Sequence, residues 1–570
     1  MAELALPKAR MVTFVSRYAL RLYFVSSQCR NYLLEHFKLT NLVLSLEKNK
    51  LAFITLTVGL ALLFFSWYNK YPISFGFPGD IVFNHISPFY WVSLPLVLGS
   101  LFILGVFSKS QSLKCVVSIG IIFAIYSLSY FYFSLPTGDS QYFTGLVQNF
   151  INTKSLDSSQ LIHEYYSWPA FFLLADVVTS VSGLSVISYE FLLYAIIGSL
   201  LGITLYVYTS KLYPKGAIFA VVAFFISMFY FLNYQAVPFS LALALLFILF
   251  MLETQKKSTP VTVTILIMFF GISLAHSFVA LFFILYLLFR TIISRSKLYA
   301  ELCLVTTNVF LITQFTFSSY WIGLNIASLF RLPSDYGSIV SSTLNTQVAV
   351  PSAIDVLSQN VSRLLTVLVV LVCLVGFIFL LIKRKLRAVD GAIFLAGAIY
   401  SIIGLAVSSL GERALAILVI PVCLGITYLF NTRFKSYLIG LFLILLILFV
   451  AVPIHSSFGG YPITFQSKND LTTANFIIEK YNWNSSSFII ADVGMSYYIS
   501  TQIQGKTIVD ASNAARFGLA NFTDYDSIIY SVGLANSLQS KGISIENNSQ
   551  LLRFDVVYNS GSSYIAIKSK

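Results

Sequence analysis

The chain has 570 residues, of which 57% are hydrophobic and 10% are charged, and its formal net charge is +13. An average soluble domain is about 45–50% apolar and about 25% charged, so this composition excludes a water-soluble globular protein. The basic residues stand in short clusters between apolar runs rather than in one continuous patch, which favours orientation in a bilayer over nucleic-acid binding.

Residues 1–50 form a basic arm before the first apolar run. Apolar residues separate its Lys and Arg residues, and Arg10, Arg17 and Arg21 share one helical face. This pattern predicts an interfacial amphipathic helix on the anionic inner leaflet, while a simple topology anchor explains the charges equally well. The arm lacks the compact pattern of a cleavable signal peptide.

Apolar runs of about 17 to 25 residues recur along the rest of the chain, which is the length that crosses a bilayer as a helix. They predict an all-α polytopic membrane protein with about thirteen transmembrane helices. The predicted spans are 51–68, 91–107, 115–134, 188–209, 217–231, 236–252, 260–274, 276–290, 299–316, 362–382, 389–409, 414–430 and 437–454.

Two patterns predict the same orientation for these spans. With the N-terminus in the cytosol, every inner connection carries Lys or Arg, as the positive-inside rule requires. The glycosylation acceptors Asn360, Asn484, Asn521 and Asn547 then all fall in outer segments. We therefore expect an integral plasma membrane protein whose C-terminal part is extracytoplasmic.

Four outer segments are longer than tight turns: about 69–90, 135–187, 317–361 and the tail from 455. The tail predicts a small α/β domain, with a helix at 471–483 and strands at 487–493, 506–512, 551–559 and 563–569. The predicted organisation is an arm (1–50), two additional helices (51–114), a transmembrane core (115–454) and this domain (455–570). The five cysteines indicate no disulfide framework and no Cys metal site.

The outer segment 135–187 carries most of the candidate chemistry. Asp139 stands just beyond the end of a predicted span, and Asp157, His163, Glu164 and Asp176 follow. A carboxylate at this depth can act as a general base toward an acceptor hydroxyl, but Asp139 also suits the N-cap of a helix that begins at Ser140. The five residues offer oxygen and nitrogen ligands without a fixed metal-binding spacing, so a divalent cation stays open. The apolar stretch 168–184 predicts a helix lying in the outer interface.

A series of motifs runs from about residue 115 to 454. It comprises GDSQYF after a span, HEYYSWPAFFLL with its aromatic residues and proline, the turn VSGLS, and the later turns at FYFLNYQAVPFS, LAHSF and LGERALAILVIP. In this order the motifs resemble those of membrane glycosyltransferases of the GT-C fold. That family includes protein mannosyltransferases, aminoarabinose transferases and the catalytic subunit of oligosaccharyltransferase.

The resemblance implies transfer of a sugar from a polyprenyl- or dolichyl-phosphate-linked donor to a glycan, protein or lipid acceptor at the outer face. It implies Asp139 as the catalytic base, with substrate-binding roles for Tyr142, His163, Glu164 and Trp168. For two further candidate substrate-binding residues, a role unrelated to substrate is also open. Arg413 suits a lipid phosphate or simply snorkels to the headgroups. His276 is a ligand or a polar turn residue.

The sequence departs from the family at two places. Ser140 follows Asp139 where the family usually has a second acidic residue. The tail faintly resembles the WWDYG region of oligosaccharyltransferase, but its tryptophans are absent and Val493 stands in place of tyrosine, so an oligosaccharyltransferase is not predicted.

Two other hypotheses for the function remain open. One is a polymerase or ligase of lipid-linked glycans, which transfers a whole glycan. The other is a non-enzymatic transporter or flippase, which would place ionisable residues within its spans. The predicted spans hold almost none, with Glu190 at an edge, and this favours chemistry at the outer surface on a lipid-linked substrate.

Overall fold

The computed structural model describes most of the helical part of the chain and short segments of the C-terminal part. The described helical part comprises residues 50–68, 86–132, 139–156, 165–211, 213–214, 216–231, 237–255, 258–318, 353–406, 411–430 and 435–451. The predicted arm, His163, Glu164, Asp157 and most of the outer segments 69–90 and 317–361 lie outside the described residues.

Fifteen helices occur in these ranges. They are α1 (Lys50–Tyr68), α2 (Pro88–Phe107), α3 (Gln111–Tyr132), α4 (Asp139–Thr153), α5 (Pro169–Ser182), α6 (Val186–Ser210), α7 (Ala217–Phe231), α8 (Pro238–Glu253), α9 (Thr259–Ala275), α10 (Ser277–Ser294), α11 (Lys297–Phe317), α12 (Ala353–Ile382), α13 (Ala388–Ala406), α14 (Gly411–Phe430) and α15 (Lys435–Ala451). Each predicted span has a helix at its position, and α4 and α5 are additional.

Six of these helices, α1, α2, α6, α10, α11 and α12, are long and apolar enough to cross a membrane by length and composition. Large apolar side chains lie exposed on their outer surfaces, with Phe64 at 63%, Leu304 at 65% and Leu364 at 66% of full exposure. Such a surface is stable in lipid and not in water. The chain is therefore a helical, polytopic membrane protein, while a total of thirteen spans stays a prediction.

Local sequence signals place the helix ends. Pro88, Pro169 and Pro238 occupy the first turns of α2, α5 and α8, where proline has no backbone N–H to leave unpaired. Gly183 ends α5 in the left-handed conformation, with φ of 70°, and Ser185 then caps α6 by accepting a hydrogen bond from the Ser188 backbone N–H. The predicted VSGLS turn is thus a helix stop followed by a helix start.

Helix α5 has two faces, as expected of a helix lying in an interface. Phe171, Phe172 and Ala175 are buried against the bundle, whereas Val177 and Val181 are exposed at 60% and 85%. An exposed valine face between two turns suits contact with lipid. The helix predicted over 168–184 is therefore present at Pro169–Ser182.

Helices α12 and α14 pack backbone against backbone at two glycines. A Cβ atom added to Gly425 would fall on the backbone carbonyl of Cys373, and one added to Gly376 would fall on the carbonyl of Gly425. Small residues let transmembrane helices pack backbone against backbone. These two positions therefore fix how α12 and α14 cross.

The C-terminal part contains a five-stranded mixed sheet. Its strands are β1 (Phe488–Ala491), β2 (Thr507–Asp510), β3 (Ser527–Tyr530), β4 (Phe554–Asn559) and β5 (Tyr564–Lys568), in the order β2-β1-β3-β5-β4. Strand β1 pairs in parallel with β2 and β3, and β5 is antiparallel to β3 and β4. Four strands lie in the predicted segments, and β3 was not predicted.

Candidate functional site

Helix α4 begins at Asp139 itself, one residue earlier than the capping interpretation requires. Its N-terminal end carries partial positive charge, which favours an ionised carboxylate there. The side chain of Asp139 lies outside the described residues. On the backbone, Asp139 shares one face of α4 with Tyr142 and Phe143, which follow it by three and four residues.

That face of α4 meets the turn that precedes α5. The ring of Tyr165 lies 5.7 Å from the ring of Tyr142 and 4.9 Å from that of Phe143, both edge to face. Trp168 follows Tyr165 at 5.4 Å between ring centroids. Aromatic residues thus connect the start of α4 to the start of α5.

Tyr166 holds this turn against α4 from the inside. Its hydroxyl donates to the backbone carbonyl of Leu146 at 2.8 Å and accepts from the Asn149 side-chain amide at 3.2 Å. Burial raises the pKa of Tyr166 to about 12, although the Asn149 hydrogen bond acts in the opposite direction. The hydroxyl therefore stays protonated and remains a donor at physiological pH.

His276 lies at the turn between α9 and α10, as the LAHSF motif predicts, and it is 3% exposed. Its imidazole stacks on Trp168, with ring centroids 5.2 Å apart and an interplanar angle of 16°. Phe239, in the first turn of α8, meets the same imidazole edge to face at 5.3 Å. We refer to Tyr142, Tyr165, Trp168, Phe239 and His276 as the aromatic rim.

Hydrogen bonds attach the end of α11 to the same place. The Ser318 hydroxyl donates to the Ser167 carbonyl at 2.9 Å, and the Gln314 amide donates to the Ser273 carbonyl at 3.3 Å. The starts of α4, α5, α8 and α10 and the ends of α9 and α11 thus converge at one end of the bundle.

The structure brings together three of the predicted site residues, Tyr142, Trp168 and His276. Arg413 lies in the first turn of α14, and its side chain is outside the described residues. Sequence reasoning missed Tyr165 and Phe239 as members of the site. Tyr165 lies within the HEYYSWPAFFLL motif and Phe239 within FYFLNYQAVPFS, but nothing local to a sequence indicates which aromatic ring faces which helix.

Asp176, one of the possible metal ligands, is committed to an ion pair. It receives a hydrogen bond from the Lys154 ammonium and a second from Ser180 at 3.2 Å. The Lys154 hydrogen bond holds the pKa of Asp176 below its ordinary value. Over the ranges that the structure describes, three or more His, Cys, Asp or Glu residues nowhere cluster as a metal site would require.

The Lys154–Asp176 pair ties α5 to the end of α4, and its contribution depends on pH. Because the pKa of Asp176 is lowered in the folded protein, the pair stabilises the contact above the ordinary Asp value of about 3.9 and loses this effect as the pH falls through the lower, folded value. Asp176→Asn should remove the dependence. The pH dependence of the contact is measured as deuterium uptake over 169–182, corrected for intrinsic exchange rates. Lys297→Gln is the control, because it breaks an exposed ion pair on α11. Equal deuterium uptake in wild type and Asp176→Asn at neutral pH would show that the ion pair does not stabilise this contact.

Comparisons with known proteins return structural neighbours only. The chain is similar to ArnT from Cupriavidus metallidurans in the apo state, with 10% identity and a TM-score of 0.42 over 80% of this chain and 98% of that chain. It is similar to the same protein bound to undecaprenyl phosphate, with 12% identity and a TM-score of 0.35 over the same shares. No protein-family model and no curated protein match.

Proposed function

We propose that the chain is a membrane glycosyltransferase, which transfers a sugar from a polyprenyl- or dolichyl-phosphate donor to a glycan, protein or lipid acceptor. The observation that carries the proposal is the aromatic rim beside the start of α4. There Trp168 and His276 stack next to the helix that Asp139 opens. Tyr142 and Tyr165, the half-buried rings of the rim, offer aromatic surface on which the C–H face of a sugar ring can pack, and a carboxylate nearby can accept a hydroxyl proton.

In the proposed reaction, Asp139 accepts the proton of the acceptor hydroxyl as its oxygen bonds to the anomeric carbon of the donor sugar. The bond between that carbon and the phosphate oxygen breaks, and the electron pair leaves with the polyprenyl phosphate. Arg413, in the first turn of α14, would neutralise this phosphate, since a guanidinium pairs with two phosphate oxygens at once. His163 and Glu164 remain candidate contacts to acceptor or donor.

The proposed orientation places the aromatic rim at the outer face, with the N-terminus in the cytosol and the C-terminal sheet outside. It follows from the basic inner connections and the positions of the glycosylation acceptors. Asn360, the one acceptor whose side chain is described, is exposed in the first turns of α12. The proposed domains are those predicted above, with α1 and α2 preceding the catalytic core.

The proposal is tested with membranes that contain the chain and a panel of polyprenyl-phosphate sugars carrying a radiolabel in the sugar. Label should pass from at least one donor to an acceptor, and membranes without the chain should transfer none. If no donor in the panel is consumed, the transferase proposal fails.

His276 should act through its ring rather than through acid–base chemistry. His276→Ala is expected to lower transfer about 2- to 10-fold by raising KM, because one aromatic stacking contact contributes about 0.5–1.5 kcal/mol. His276→Phe should recover most of the loss. The assay is the kcat and KM of sugar transfer, with Tyr437→Ala as control because Tyr437 is an exposed aromatic residue on α15. A loss in kcat that Phe does not recover would instead assign a polar role.

A proton-coupled transporter is the second candidate, and one observation favours it. Glu190 is fully buried in the second turn of α6, and its carboxyl has no hydrogen-bond partner among the described residues. Buried acidic residues in membrane helices are typical of proton pathways. Glu190→Gln would abolish transport in a transporter, whereas sugar transfer in a transferase does not require this proton.

A further inference from the structure

The end of the bundle opposite the aromatic rim carries charged residues. There Asp390 is completely buried in the first turn of α13 and accepts two hydrogen bonds from the Arg387 guanidinium, at 2.8 and 3.0 Å, and one from the Tyr208 hydroxyl. Arg387 also lies over the Tyr208 ring, 5.0 Å from its centroid. The negative charge of Asp390 is therefore fully used by its own neighbours.

A second group of residues lies at the same end of the bundle, at or just beyond the ends of α6, α12 and α14. The Tyr213 and Tyr428 rings meet edge to face at 5.9 Å, and the Lys385 ammonium lies over the Tyr428 ring at 5.8 Å. Lys211 lies two residues before Tyr213, and Lys385 lies two residues before Arg387. We call Lys211, Tyr213, Lys385, Arg387 and Tyr428 the basic site.

The basic site holds more positive charge than the described residues around it neutralise. Lys211 donates a hydrogen bond to the neutral Thr254 hydroxyl at 2.7 Å. Partial burial, and then repulsion from Arg387, hold the pKa of Lys211 below its ordinary value. Within the described ranges neither Lys211 nor Lys385 forms an ion pair. Two lysines therefore stand beside an arginine whose counter-ion is already taken.

We propose that the basic site binds the headgroup phosphate of an anionic phospholipid from the inner leaflet, between Lys211 and Lys385. Charge complementarity selects this occupant, because basic pockets between helix ends on the cytoplasmic side bind anionic headgroups. Tyrosine is enriched at membrane–water interfaces, which suits the two tyrosines of the site. The proposal depends on the orientation given above and is independent of the transferase reaction.

Lipid binding to the purified chain, measured by native mass spectrometry, tests the proposal. The chain is titrated in detergent with phosphatidylglycerol and, separately, with phosphatidylcholine of the same acyl chains. Wild type should prefer phosphatidylglycerol, and Lys211→Gln/Lys385→Gln should weaken its binding on the order of thirtyfold, since each basic residue near the surface contributes roughly fivefold.

Two matched variants separate a site from general surface charge. Lys297→Gln/Lys383→Gln removes the same charge at the same end of the bundle but outside the basic site, and it should keep the preference. Lys211→Arg/Lys385→Arg keeps the positive charge and should also keep the preference for phosphatidylglycerol. That result would show that the protein tolerates substitution at these two positions. The proposal is overturned if wild type binds the two lipids equally, or if the Lys297/Lys383 variant loses as much binding as the Lys211/Lys385 variant.

Discussion

Asp139→Asn should lower sugar transfer by roughly 10²- to 10⁴-fold, the usual contribution of a general base. Asparagine has nearly the shape of aspartate, so α4 should keep its first turn and its contacts with the turn at 165–168. The asparagine side chain, however, cannot accept the proton of the acceptor hydroxyl. The measurement is the rate of transfer at equal protein abundance, with donor binding followed separately and expected to change little.

Asp176→Asn is the matched control for this substitution. It removes a carboxylate from the same predicted outer segment, but Asp176 is paired with Lys154, which directly follows α4 and is therefore at the opposite end of that helix from Asp139. It should retain most of the transfer activity. Asp139→Asn at wild-type activity would keep the enzyme class but assign the base to another residue.

Gly425→Val should prevent the bundle from assembling correctly. The added side chain would meet the backbone of α12 at Cys373 and Phe377, and no rotamer change can remove a clash with backbone atoms. Overpacking of ordinary cores costs about 1–3 kcal/mol, and a backbone clash is expected at about 3 kcal/mol or above. The measurement is the monodisperse fraction in detergent together with the thermal unfolding midpoint.

Gly440→Ala provides the control on a neighbouring helix. A Cβ atom at Gly440 of α15 meets no atom within 4 Å. Since alanine is favoured over glycine in helices by up to about 1 kcal/mol, stability should stay unchanged or rise. If Gly425→Val unfolds at the wild-type midpoint, the close crossing of α12 and α14 is not what holds them.

The helices could be predicted because each depends on a property of its own segment. An apolar run of sufficient length must pair its backbone groups internally, so a helix follows at every predicted span. The position of His276 between two helices and the helix at Pro169–Ser182 also follow from local signals. Helix α12 begins at Ala353 rather than at residue 362, because its first turns contain polar residues that a hydropathy criterion excludes.

The site could be predicted only in part. Trp168 and His276 were each selected for their own motif, but their stacking depends on how α5 packs beside the turn between α9 and α10. The contacts of Asp390 show the same limit. Its ion pair with Arg387 joins residues that are close in sequence, whereas its hydrogen bond from Tyr208 comes from α6, which is distant in sequence. Strand β3 was missed because its central pair Ile528 and Ile529 is short and lies in a polar stretch.

We propose that the chain breaks the bond between a sugar and a polyprenyl phosphate and passes the sugar to an acceptor. The most direct measurement uses purified chain in lipid vesicles with a donor labelled in both the sugar and the lipid phosphate. We expect equal amounts of sugar joined to acceptor and of polyprenyl phosphate released, with neither product in vesicles lacking the chain. Recovery of all the donor intact, or movement of donor across the vesicle membrane without cleavage, would rule out the transferase reaction.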